Sequence, residues 1–188
     1  MIKPVSSRAR RFFGLLGAVL PLALLACAAD KGSSRADEPD IPVRITRAKV
    51  GEWALYRQAN GDLLRFTVVE KQERSGHTYL MIEKRVTTAN GKKRRPSQEE
   101  VDVAEAAERL RYLAPDDTVT TAEVLVRERS MDAVVVNHVD NGVLTRQSYL
   151  SAEVPVHGLI RGVSIKGTEK TVALSLIDYG YSNEMIQE

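Results

Sequence analysis

The sequence predicts an α+β domain in which a curved antiparallel sheet of about eight strands packs against one helix. From Val50 onward, apolar and polar residues alternate along short segments, as they do in strands with one buried face. Turn-forming pairs such as Asn60-Gly61 and Asn90-Gly91 separate these segments. A single stretch has the apolar spacing of an amphipathic helix. Residues 50–188 are therefore expected to form one domain.

The strands are expected to pair mainly with their neighbours in the chain. Residues 53–56 and 64–69 form a predicted hairpin across Asn60-Gly61, and a third strand follows at about residues 77–86. Five more strands are predicted after the helix, at residues 120–127, 133–139, 143–150, 159–166 and 171–179. Such a run of short strands and tight turns is typical of an antiparallel sheet.

The one predicted helix covers residues 97–112. Ser97 and Glu100 have the spacing of a capping box, in which each side chain binds a free backbone N–H at the start of a helix. Apolar residues recur every three positions from Val101 to Leu110. The narrow apolar stripe predicts a helix that packs on the sheet.

Residues 1–26 are typical of a secretory signal peptide. A basic segment that includes Arg10 and Arg11 precedes an apolar run from Phe12 to Ala26. This run of about 15 residues is shorter than the roughly 20 that a membrane-spanning helix needs. Arg10-Arg11-Phe12-Phe13 also resembles the core of a twin-arginine export signal, so the Sec and twin-arginine routes both stay open.

Cys27 is the only cysteine in the chain and directly follows Leu24-Leu25-Ala26. This segment resembles the lipobox of bacterial lipoproteins. The resemblance implies cleavage before Cys27 and lipidation of Cys27, which would anchor the chain stably because several acyl chains hold a protein on a bilayer. Ala28 and Ala29, rather than an aspartate, follow Cys27, and resemblance to enterobacterial sorting signals then implies the outer membrane. The expected location is therefore the cell envelope, at the outer membrane and facing the periplasm.

Composition limits the partners and the source of stability. Removing residues 1–26 removes four basic residues and no acidic ones, which leaves 23 Lys and Arg against 25 Asp and Glu, a net charge of −2. This balance gives no overall basic bias towards nucleic acid. With Cys27 lipidated no disulfide can form, so a hydrophobic core must stabilise an expected monomeric domain. Residues 27–49 contain Gly, Ser, Pro and charged residues and are expected to form a flexible tether.

The sequence contains no motif that indicates catalysis. Gly-x-Ser-x-Gly, His-Glu-x-x-His, the phosphate-binding glycine loop and the dinucleotide fingerprint are all missing from it. His77, His138 and His157 lie far apart, although His138 and Asp140 could form a site if His157 folded beside them. We therefore expect no cofactor, no metal and no enzymatic activity.

Two segments resemble parts of poorly characterised bacterial exported lipoproteins: Val50-Gly51-Glu52-Trp53, and residues 151–159 around Glu153-Val154-Pro155. The order of hairpins around a short helical insert is similar to the half-barrel of LolA/LolB-type lipoprotein carriers. This resemblance implies a concave sheet that could hold an apolar group. The residues expected to line such a groove are Leu64, Phe66, Leu80, Ile82, Leu174 and Leu176.

Two functional interpretations follow from the sequence. In the first, the chain is a membrane-anchored envelope lipoprotein with a non-enzymatic binding or structural role, and its partners are the membrane and another envelope protein. In the second, it is a carrier or sensor of an apolar ligand, such as a lipid or acyl chain, held in the groove of a half-barrel.

Overall fold

The structure, a computed structural model, describes residues 39–182. The expected signal peptide, Cys27 and most of the expected tether lie outside these residues. Within them are a short 3-10 turn at Arg44–Arg47, one α-helix and nine strands. The helix α1 spans Val103–Arg111, and the strands are β1 Glu52–Gln58, β2 Leu63–Arg74, β3 His77–Thr87, β4 Ser97–Asp102, β5 Thr118–Val126, β6 Arg129–Asp140, β7 Val143–Leu150, β8 Leu159–Lys166 and β9 Glu169–Tyr181.

The nine strands form one antiparallel sheet in the order β4-β3-β2-β1-β9-β8-β7-β6-β5. All pairs except β1–β9 join strands that follow each other in the chain. The sheet therefore consists of two meanders, β1 to β4 and β5 to β9, joined by the first and last strands. In this part of the chain no helix has the length and apolar character needed to cross a bilayer.

The α+β class and the antiparallel sheet with one helix are confirmed, with nine strands in the described residues. The predicted helix at 97–112 is wrong at its start, because Ser97–Asp102 forms strand β4 and pairs with β3. The helix begins only at Val103, where the Asp102 side chain accepts hydrogen bonds from the backbone N–H groups of Ala104 and Glu105. Asp102 therefore replaces Ser97 as the N-cap. The free edge of β3 provides hydrogen-bond partners for the backbone N–H and C=O groups of residues 97–102, so this segment is extended and does not form a helix.

The buried side chains form two core clusters. The first core cluster joins both meanders and includes Tyr56 of β1, Met131 of β6, Ile160 of β8 and Leu176 of β9. The second core cluster lies between β2, β3, α1 and the 3-10 turn; its members are Ile45, Ala48, Val68, Leu80, Ile82, Val103, Ala107 and Val156. Phe66 packs against both clusters. The helix is thus needed to cover only one part of the sheet.

The folded domain begins earlier than Val50, so the expected tether is too long at its carboxyl end. Ile45 and Ala48 are each only 2% exposed and belong to the second core cluster. The Arg44 side chain donates a hydrogen bond of 2.6 Å to Oε1 of Glu52, and the Lys49 backbone N–H donates one of 3.1 Å to Oε2. Burial of two apolar residues and this ion pair fix the segment against β1. The composition of residues 39–49 resembles a linker, but Ile45 has a place in the core.

We expect Ile45→Ala to lower the free energy of unfolding by about 2 to 5 kcal/mol, because it deletes a buried branched side chain. Val50→Ala is the matched control, since Val50 is 43% exposed and its truncation should change stability by less than about 0.5 kcal/mol. Urea denaturation followed by far-ultraviolet circular dichroism measures both. Equal, small effects would mean that residues 44–48 are part of the tether after all.

Candidate functional site

The six residues expected to line an apolar groove lie in or against the core. Leu64, Leu80, Ile82 and Leu176 are at most 5% exposed. Leu64 and Leu176 belong to the first core cluster, with Phe66 and Leu174 packed against it, whereas Leu80 and Ile82 belong to the second. None of the six lines either cavity described below. These side chains therefore contribute to the packing of the two core clusters.

The loop between β7 and β8, residues 151–158, fills the concave face that the helix leaves uncovered. Val154 and Val156 are both fully buried; Val154 belongs to the first core cluster and Val156 to the second. Val156 has a φ of 66°, a left-handed conformation that β-branched residues rarely adopt. Such a conformation persists only where surrounding contacts hold it. The loop therefore acts as a plug that packs between the two clusters.

The larger cavity lies at the rim of the sheet, where the chain enters the domain. Its volume is about 610 Å³, and we call it the tether cavity. Four segments line it: residues 39–47, the end of α1 with Leu113, the start of β5 at Val119, and the plug loop at Ala152. Seven of its lining residues are apolar, namely Pro39, Ile41, Pro42, Val43, Leu113, Val119 and Ala152. A volume of this size is typical of small-molecule sites.

Three arginines and one carboxylate give the tether cavity its charge: Arg44, Arg47, Arg111 and Asp40. Arg47 and Arg111 are exposed, whereas the Arg44 side chain is only 14% exposed and pairs with Glu52. Nη1 of Arg44 is buried and has no hydrogen-bond partner among the described residues. A buried donor without an acceptor is costly. The cavity wall thus carries an excess of positive charge, and one of its arginines has an unsatisfied buried donor.

Sequence reasoning missed this cavity. It placed Arg44 and Arg47 in the tether and Arg111 at the end of a helix. Arg111 lies more than 60 residues from both in the chain. The only local signal is the alternation of branched apolar residues at Ile41, Val43 and Ile45 in an otherwise linker-like segment. That signal indicates packing and gives no information about which residues surround it.

A smaller cavity of about 260 Å³ lies where β5 and β9 approach each other. Arg127 donates a hydrogen bond of 2.8 Å to Asp178 across this gap, and Arg129 donates one of 3.1 Å to the Tyr179 hydroxyl. Its arginines therefore already have partners across the gap. We regard these contacts as structural, because they bridge two strands that do not pair with each other.

His138 lies between a carboxylate and a hydroxyl, and neither belongs to the residues that the sequence offered as possible partners. Its Nδ1 is 3.0 Å from Oδ2 of Asp117, and its Nε2 is 3.4 Å from Oγ of Ser148. Asp140 is exposed and makes no contact with the ring among the described hydrogen bonds. His157 instead packs edge-on against Phe66 at 5.2 Å between ring centroids. The site of His138, Asp140 and His157 that the sequence left open as an alternative therefore does not form.

Asp117, His138 and Ser148 resemble a catalytic triad only in the contacts between their side chains. Ser148 lies inside β7 and pairs with Val136 on one side and Gly162 on the other, so the sheet ladder occupies its backbone. Neither cavity includes Ser148. A triad enzyme needs free N–H donors beside its nucleophile to stabilise the oxyanion.

In the described residues no group of three or more His, Cys, Asp and Glu side chains could hold a metal ion.

The Asp117 carboxylate instead fixes the turn between α1 and β5. Its side chain is 4% exposed, and it accepts hydrogen bonds from the backbone N–H groups of Val139 at 3.0 Å and Ala114 at 3.1 Å. Burial opposes its ionisation, but these two bonds and the contact with His138 outweigh burial and lower the pKa of Asp117 below its ordinary value. Ionised Asp117 therefore ties the Ala114 turn to β6.

We expect Asp117→Asn to lower the free energy of unfolding at pH 7 by about 1 to 3 kcal/mol, because it weakens hydrogen bonds to a buried carboxylate. A carboxyl whose pKa is lowered in the folded state stabilises the fold above its unfolded pKa of about 3.9, and this contribution disappears as the pH falls through the folded pKa. The difference between the wild type and the variant should therefore shrink below about pH 4.

Asp140→Asn is the matched control for this prediction, since Asp140 is exposed and lies two residues from His138. It should leave stability almost unchanged at both pH values. Denaturant titrations at pH 7 and pH 3 measure these effects. A difference that stayed constant with pH would contradict the role assigned to the ionised carboxylate.

Comparison with known proteins gives only distant similarities. No protein-family model matches the chain, and no curated protein matches it. A structure from Bacteroides fragilis, provisionally described as an exported protein with a YmcC-like fold, is 12% identical at a TM-score of 0.46, over 71% of this chain and 97% of that one. A second, from Parabacteroides distasonis and provisionally described as a lipoprotein, is 10% identical at a TM-score of 0.46, over 70% of this chain and 96% of that one.

Similarities this distant carry no argument about the function of this chain. Neither structure is described as a LolA/LolB-type carrier, so that resemblance remains an expectation. The function must be argued from the chain's own residues.

Proposed function

We propose that this protein is a membrane-anchored lipoprotein of the cell envelope whose domain has a non-enzymatic binding role. Cys27 provides the anchor and the tether cavity provides the binding site. Support for the anchor comes from the basic and apolar residues before Cys27 and from the polar chain after it. Ala28 and Ala29 favour the outer membrane, with the domain facing the periplasm.

One observation supports the binding role most directly. The tether cavity is formed by residues 39–47, the first described segment after Cys27, together with parts of α1, β5 and the plug loop. Only 12 residue steps separate Cys27 from Pro39, and such a segment spans at most about 43 Å when fully extended. A lipid on Cys27 would therefore keep this cavity within roughly 40 Å of the bilayer.

The alternative, a carrier or sensor of an apolar ligand in a half-barrel groove, has less support. The six residues expected to line the groove lie in or against the core, and the plug loop fills the concave face. Opening a groove there would expose side chains that now stabilise the fold, at a cost of about 25 cal/mol per Å² of apolar surface. A site at the rim needs no such rearrangement.

We expect Cys27→Ala to abolish fatty-acid labelling and membrane retention, because no other cysteine can accept the lipid. Metabolic labelling with a fatty acid, followed by separation of membrane and soluble fractions, measures both. Ser34→Ala, a change seven residues further along, is the control and should remain labelled and membrane-bound. Label on the Cys27→Ala protein would contradict the proposed anchor, whatever the domain binds.

A further inference from the structure

The tether cavity combines two kinds of wall that together specify a class of ligand. Its apolar residues form a surface that an uncharged hydrocarbon portion could contact, and its arginines form a surface that attracts an anion. Arginine guanidinium groups bind the oxygens of phosphate in pairs, with strong charge-assisted hydrogen bonds. Such a wall suits a ligand with an oxyanion at one end and an apolar portion at the other.

The positive charge is local and is not a property of the whole chain. The lining carries three arginines against Asp40 alone, while the chain after residue 26 has a net charge of −2. Arg47 and Arg111 are exposed and have no ion-pair partner among the described residues. Exposed Arg57, Arg95 and Arg146 likewise have no ion pair among the described residues, whereas Arg109, Arg127 and Arg129 pair with carboxylates. What distinguishes Arg47 and Arg111 is that both line one cavity together with Arg44. Arg47 and Arg111 are therefore placed to bind an external anion.

Arg44 supplies a third donor at the same wall. Its Nη2 is held by Glu52 at 2.6 Å, which fixes the direction of the guanidinium, while Nη1 is buried without a partner among residues 39–182. Buried polar groups in native proteins are nearly always hydrogen-bonded. The Glu52 contact makes Arg44 a preorganised part of the wall, whereas Arg47 and Arg111 remain adjustable.

We infer that the tether cavity binds a phosphoester: Arg44, Arg47 and Arg111 hold the phosphate oxygens, and the apolar wall holds the adjoining hydrocarbon. The volume of about 610 Å³ suits a glycerophosphate group with the first part of an acyl chain, because ligand sites in proteins measure about 300 to 1,000 Å³. The phosphoester could belong to a lipid headgroup or to a soluble molecule. This inference deepens the proposed binding role and rests on it, but its test does not need the anchor.

The test uses the chain from residue 27 to residue 188 with Cys27→Ala, which keeps the protein soluble. Calorimetric titration compares dihexanoyl phosphatidic acid, a short-chain lipid used below its micelle concentration, with glycerol 3-phosphate. We expect both to bind and Arg47→Gln/Arg111→Gln to weaken each by about tenfold or more, since charge-assisted bonds to phosphate are lost. Tighter binding of the lipid assigns the site to a lipid headgroup, and equal binding assigns it to a soluble phosphoester.

Arg109→Gln is the matched control, because Arg109 lies two residues before Arg111 in α1 and does not line the cavity. It changes the net charge of the same helix by one unit and should leave both affinities within about twofold. Arg44 is left unchanged in the double variant because its loss would leave the buried Glu52 carboxylate without its ion-pair partner. Denaturation of each variant checks that the fold is intact.

Two results would overturn the inference. One is that neither compound binds. The other is that Arg109→Gln weakens binding as much as the double variant, which would mean that the affinity depends only on the overall charge of the protein. Both results would leave the anchoring role of Cys27 untouched, since fatty-acid labelling tests that separately.

Discussion

The pairing of β1 with β9 is the constraint on which the rest of the structure depends. It runs from Glu52 opposite Tyr181 to Gln58 opposite Leu174, and it is the only pairing in the described sheet between strands distant in the chain. Without it the sheet would separate into two meanders, each with part of its apolar face exposed. A bulge shifts the register between Leu55 and Tyr56 and sets Tyr56 opposite Leu176, so both side chains enter the first core cluster.

The same pairing positions the candidate binding site. Glu52 is the first residue of β1, and its carboxylate holds both Arg44 and the Lys49 backbone. The 3-10 turn is thereby fixed against β1, so that Ile45 enters the second core cluster and Arg47 reaches the tether cavity. A shift of β1 by one residue would move Glu52 to the other face of the sheet. The cavity is therefore a consequence of long-range register, although most of its lining residues lie in segments outside the sheet.

Local patterns in the sequence predicted the strands and turns, because alternation and Asn-Gly pairs act over a few residues. They could not predict that residues 97–102 form β4, since the capping-box spacing at Ser97 is outweighed by pairing with the free edge of β3. They also gave no information on how the concave face is covered. Val154 and Val156 flank Pro155 in a short segment that is not a strand, and only packing reveals that they are core residues of the plug loop. The tether cavity could not be predicted because its arginines converge from distant segments.

Because the concave face is covered, the residues that stabilise this domain are largely different from those that line the candidate binding site. The residues first expected to hold a ligand, such as Leu80 and Leu176, are almost fully buried, and changing them would affect the fold before any contact with a partner. Arg47 and Arg111 are exposed, and surface substitutions of this kind usually alter stability by less than about 0.5 kcal/mol. Of the three arginines, only Arg44 contributes both to the stability of the fold and to the cavity, since it pairs with buried Glu52 and also lines the cavity. The candidate site at the rim can therefore be altered by mutation without unfolding the sheet, provided that the Arg44–Glu52 pair is kept.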